Sequence, residues 1–161
     1  MSSRIDFDDD PNAPKVNSLA PSVAVVVTND DGDILMIRRS DDGKWVIPGG
    51  DIGLGETIPD AAMKRTLEQT GHWSQITGIV GTYSDFRRIT LYTSTGEVRR
   101  EFSIVLQAYV NGEATPADES GDVRWIDFGD LDDYDVDPRM LTWIGQAHLL
   151  SRFREEKPHI G

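Results

Sequence analysis

Between Gly49 and Gly71 the chain reads GGDIGLGETIPDAAMKRTLEQTG, a glycine-rich loop that has to run straight into a helix. Thr57 is a good N-cap, Asp60 three residues on makes a capping-box-like pair, and Pro59 is tolerated in a first turn whose N–H groups lack helical partners. The helix is therefore expected to start near Ile58. It should stop at Gly71, because glycine accepts the left-handed conformation that commonly follows a last turn. Ala61, Ala62, Met63 and Leu67 offer small and apolar surface for packing. Arg65, Glu68 and Gln69 stand at i, i+3 and i+4 and so share one face. Other phosphate-binding patterns do not fit: there is no G-x4-G-K-[ST] loop, and Gly50, Gly53 and Gly55 do not make G-x-G-x-x-G.

The spacing of these residues resembles the Nudix box, G-x5-E-x7-R-E-U-x-E-E-x-G-U, with U apolar. Gly50, Glu56, Glu68 and Gly71 fall in register with it, and the lead-in Trp45-Val46-Ile47-Pro48-Gly49 is typical of that family. Lys64 replaces the arginine, Arg65 the first glutamate of the helix and Gln69 the last, while Thr66 and His72 fill the two apolar positions. Glu119, Val123, Arg124 and Trp125 also resemble the family's E-x-x-x-V-R-W ending. The resemblance implies an α/β fold, an α/β/α sandwich around a mixed sheet, over residues 18–155. It implies a pyrophosphohydrolase that uses Mg2+ or Mn2+ to cleave a nucleoside diphosphate derivative, an ADP-ribose-like compound or a nucleoside triphosphate. Carried over residue by residue, it implies Glu56, Glu68 and the Gly50 carbonyl as metal ligands; Gly49, Gly50, Arg38 and Arg65 are candidate nucleotide contacts, the arginines as groups able to pair with phosphate. Glu68, with Glu119 or Glu101, would be catalytic. A homodimer is the family's default.

The chemistry explains why carboxylates matter there. Cleaving a pyrophosphate requires neutralising several oxygens and producing a nucleophilic water, and hard divalent ions held by carboxylates can do both. The family pattern offers four glutamates. Here only Glu56 and Glu68 remain, and Arg65 reduces their formal charge of −2 to −1. Two readings stay open. An Arg65 turned into the site would repel metal and pair with phosphate itself, since guanidinium is a bidentate phosphate ligand; the domain would then be a catalytically weakened nucleotide-binding or regulatory module. An Arg65 turned to solvent would leave Asp51, Asp60, Asp85, Glu101 or Glu119 to complete a metal shell and supply a base.

The rest of the chain bounds the answer. Its 161 residues suit one compact domain. No cysteine is present, which excludes disulfides, thiolate metal sites and a cysteine nucleophile. No signal-like N-terminus or long apolar run is visible, so a cytoplasmic location without membrane contact is expected. A net charge of −12 argues against a general nucleic-acid surface but allows a local basic cleft for a small phosphorylated ligand. Residues 1–17, acidic and containing Pro11 and Pro14, read as a flexible tail, and 156–161 as a C-terminal tail.

Strands are expected at Ser22 to Val27 and Ile34 to Arg38, forming a hairpin across Asn29-Asp30-Asp31-Gly32. Further strands should follow at Gln75 to Tyr83, Ile89 to Tyr92, Val98 to Val110 and Asp122 to Phe128. In the long run, Glu101, Ser103, Val105 and Gln107 share a face opposite Phe102, Ile104, Leu106 and Ala108, so Glu101 could face a cleft. Asp137-Pro138 starts a terminal helix with Met140, Leu141, Ile144 and Ala147 at helical spacing. Tyr83, Phe86, Tyr92 and Trp125 are candidates for stacking on a base.

Overall fold

A computed structural model describes residues 4–85, 87–111 and 122–161. Its centre is strand β2, Ser18–Thr28, flanked in the sequence by β1, Arg4–Asp8, and β3, Ile34–Arg38. The short strands β4, Trp45–Val46, and β5, Gly49–Asp51, lead into helix α1, Ile58–Thr70. Strands β6, Gln75–Tyr83, β7, Arg88–Tyr92, β8, Glu97–Tyr109, and β9, Val123–Ile126, follow. A 3-10 turn at Phe128–Asp133 precedes helix α2, Pro138–Arg152, and β10, His159–Ile160.

β2 runs parallel to β8 from Ser18 opposite Arg99 to Thr28 opposite Tyr109, and its other edge takes β5 antiparallel. Such a strand has to be apolar on both faces, which accounts for the unbroken Val23-Ala24-Val25-Val26-Val27 run. Val23, Val25 and Val27 pack with Leu35, Ala61, Ala62 and Leu106 under α1. Ala24 and Val26 pack with Met36, Val105, Trp143 and Ile144 under α2. The result is the expected α/β/α sandwich around a mixed sheet.

Both helices follow the caps read from the sequence. Thr57 accepts from the Asp60 amide, Gly71 closes α1 with φ of 76°, and Asp137 caps α2 by accepting from the Arg139 amide. The buried face of α1 differs in one respect, since Thr66 and Thr70 are fully buried. Their hydroxyls donate to the Ala62 and Thr66 carbonyls at 2.8 and 2.6 Å, which lets threonine fill an apolar position. In α2 it is Trp143 that is buried, while Leu141 stays 41% exposed.

Three readings of the sequence are corrected. The expected β2–β3 hairpin meets only at Thr28 opposite Ile34, and β3 pairs along its length with β9 instead. The segment read as an N-terminal tail contains β1, which pairs antiparallel with β7. Asp6 fixes it there, accepting from Arg4, Arg88 and Thr90. The segment read as a C-terminal tail contains β10, parallel to β6, with His159 stacked on Tyr83 at 4.6 Å.

Candidate active site

The loop from β5 to α1 is shaped by its own backbone. A side chain on Gly49 would place Cβ 2.3 Å from the Val23 carbonyl oxygen, so the close approach of β5 to β2 requires glycine there. Gln69 then clamps that glycine, accepting from its amide at 3.1 Å and donating to its carbonyl at 2.8 Å. At the far end of the loop the Gly53 amide donates to Glu56 Oε1 at 2.6 Å. That bond, with Arg65 and Lys64 beside it, holds the Glu56 carboxyl below the usual carboxylate range against the opposing effect of burial.

Arg65 lies across the middle. Its Nη2 donates to Glu56 Oε1 at 3.2 Å and to the Asp51 carbonyl at 3.0 Å, and its Nη1 donates to Glu68 Oε2 at 3.3 Å. Only 19% of the side chain is exposed, against 56% for Lys64, which stands 3.5 Å from Glu56 Oε2. The structure thus brings Gly50, Glu56, Arg65 and Glu68 together and engages both carboxylates with one guanidinium. Among the described residues no group of three or more acidic, histidine or cysteine side chains is placed to hold a metal ion. With both glutamates bound to Arg65, this donor set does not fit a divalent cation as arranged. Glu119 lies outside the described residues.

Beside the loop opens a cleft of about 1100 Å³, lined by Gly49, Gly50, Asp51 and Gln69 at one side and by Arg4, Arg38, Arg39, Arg99 and Arg139 around it. A side pocket of about 230 Å³ shares Glu101 and Arg139 with it. Glu101 does face this cleft, tied to Arg99 at 3.5 Å rather than to the carboxylates of the loop and helix. Asp51 joins the two regions, its carbonyl holding Arg65 and its carboxylate meeting Arg99 at 2.9 Å. Arg38 is engaged by Asp122, with Nε 2.9 Å from Oδ1. Asp85 pairs with Arg87, away from the loop. Of the aromatic candidates, Tyr92 lines the cleft under Arg99, 4.9 Å from ring centroid to guanidinium, and Tyr83 lines the side pocket. Trp125 packs edge-on against His72, and Phe86 is outside the described residues.

One group was not anticipated from the sequence. Asp137, its side chain 2% exposed, draws in Arg39 at 3.3 Å, Arg139 at 3.6 Å and Arg88 at 3.8 Å. Burial alone would raise its pKa, but these cations lower it. Burial and then repulsion from Arg88 lower that of Arg139. The three arginines come from positions 39, 88 and 139, and only the folded sheet makes them neighbours.

Comparison with known proteins identifies the fold and the family. A MutT-like protein of Streptomyces ambofaciens is 37% identical over 76 residues, 47% of this chain and 48% of that protein. The chain thus spans about half the length of that relative. An ADP-ribose pyrophosphatase of Methanocaldococcus jannaschii is 30% identical over 118 residues, 70% of this chain and 66% of the other. The fold superposes on a NUDIX hydrolase from Nitrosomonas europaea with a TM-score of 0.68 at 18% identity, covering 91% of this chain and 80% of that one. The sequence matches the NUDIX domain over residues 18–146, from the start of β2 into α2, and with the loop–helix unit at its centre the chain belongs to the NUDIX family.

Proposed function

We propose that the protein is a Nudix pyrophosphohydrolase acting on a nucleoside diphosphate derivative held in the arginine-lined cleft. The observation that carries this reading is the continuity of that cleft with the Gly49–Asp51 strand and Gln69. Its volume suits a nucleotide-sized ligand, and guanidinium groups around it offer charge-assisted hydrogen bonds to phosphate. Arg99 links the cleft wall to the loop through Asp51 and is also paired with Glu97 and Glu101. The name of the ADP-ribose pyrophosphatase relative points to ADP-ribose-like compounds as the substrate class, and nucleoside triphosphates belong in the same test. Divalent metal is what the family would supply to the chemistry, and the choice between Mg2+ and Mn2+ is part of the test. In this reading Glu56, Glu68 and the Gly50 carbonyl would hold the metal once Arg65 is drawn away from the two carboxylates, with Glu101 or Glu119 assisting.

A second reading, a nucleotide-binding module with weakened catalysis, is favoured by the contacts of Arg65 with both glutamates. Release of phosphate or nucleoside monophosphate from a panel of nucleoside diphosphate derivatives, with and without Mg2+ or Mn2+, separates the two. Metal-dependent release that Glu68→Ala reduces at least about a hundredfold is expected for the hydrolase. No release from any compound, together with measurable ligand affinity, would leave the binding module.

A further inference from the structure

We infer that Arg65 is the built-in counter-ion of this site: its guanidinium pairs with both carboxylates, Glu56 and Glu68, that a divalent cation would need, so any such cation has to compete with a side chain of the protein itself. The inference rests on family membership and not on turnover.

The contacts that support it are specific. Arg65 reaches a loop carboxylate and a helix carboxylate with different nitrogens, and a third bond to the Asp51 carbonyl fixes the fork between them. Its stem lies over Gly50, where an added Cβ would come 3.3 Å from Arg65 Cδ. An arginine held by three partners and largely buried is not one turned to solvent. With Lys64 also beside Glu56, two cations face two carboxylates, and the four side chains sum to no net formal charge. An arriving cation therefore meets no excess negative charge and has to break two ion pairs before it gains a ligand. Breaking them leaves a partly buried guanidinium whose other partner is a carbonyl, which is costly. Lysine could not substitute fully, because a single ammonium lacks the rigid fork that serves three acceptors at once.

The test is Mn2+ binding without nucleotide, followed by electron paramagnetic resonance, for the wild type, Arg65→Gln and Arg65→Gln combined with Glu56→Gln. Removing the guanidinium is expected to tighten Mn2+ binding about tenfold, equivalent to about 1.4 kcal/mol. The added Glu56→Gln change should abolish the gain. Equal affinity in the wild type and Arg65→Gln overturns the inference, as does failure of both to bind. Should Arg65→Gln not fold, the 15N-labelled Arg65 side chain of the wild type decides: an Nε–H signal that shifts as Mg2+ is added supports displacement, and one that stays fixed to saturating Mg2+ overturns it. Loss of hydrolysis in the substrate panel would sink the proposed activity while leaving this competition intact, so the two failures are distinguishable.

Discussion

Gln69 shows how one substitution can change what a position does. Glutamate there would be acceptor-only, whereas the amide makes one bond in each direction with the Gly49 backbone. Gln69→Glu would keep the bond from the Gly49 amide and set a carboxylate oxygen against the Gly49 carbonyl. The variant is expected to lose about 1–2 kcal/mol of stability in urea denaturation, the cost of an unmade bond plus repulsion. Restoring the family's glutamate at this position therefore does not simply return a metal ligand. Part of this was legible before the fold: the register of Gly50, Glu56, Arg65, Glu68 and Gln69 singled out the loop–helix unit and its missing charge. The direction in which Arg65 points was not, because it depends on Asp51 and Glu56, fourteen and nine residues earlier, being folded back onto the helix.

At the scale of elements, α1 was readable from Thr57 to Gly71 because caps are local chemistry, and β6 because its boundaries are marked by composition. β1 was hidden for the opposite reason. Its residues Arg4, Asp6 and Asp8 look like a solvated run until Arg88 and Thr90, more than eighty positions away, are set beside them. Burial opposes ionisation of Asp6, but hydrogen bonds from Arg4 and Thr90 prevail and bring its pKa to about 2. The sign follows from a folded pKa depressed below the ordinary unfolded value of about 3.9. The stabilisation is complete above that unfolded value and is lost as pH falls through the folded one. Amide exchange measured between pH 5 and pH 2 is expected to show β1 losing protection between about pH 4 and pH 2, ahead of the β2–β8 core. Asp6→Asn should remove that pH dependence and leave β1 weakly protected throughout.

On the scale of the whole molecule, the three arginines around Asp137 make one carboxylate serve the end of β3, β7 and the first turn of α2 together. Truncating it removes a helix cap and takes from the buried Arg139 its carboxylate partner, while Arg39 and Arg88 keep Asp42 and Asp6. Asp137→Ala is expected to cost about 3–5 kcal/mol, measured by denaturant midpoint, with Asp137→Asn losing less because the cap survives. Arg39 and Arg139 hold that carboxylate and also line the cleft. An anion held by those two arginines would compete with Asp137, the cap of α2, for the same guanidinium groups. The wall of the cleft and the opening turn of a helix whose buried face, through Trp143 and Ile144, rests on the central strand thus share two side chains.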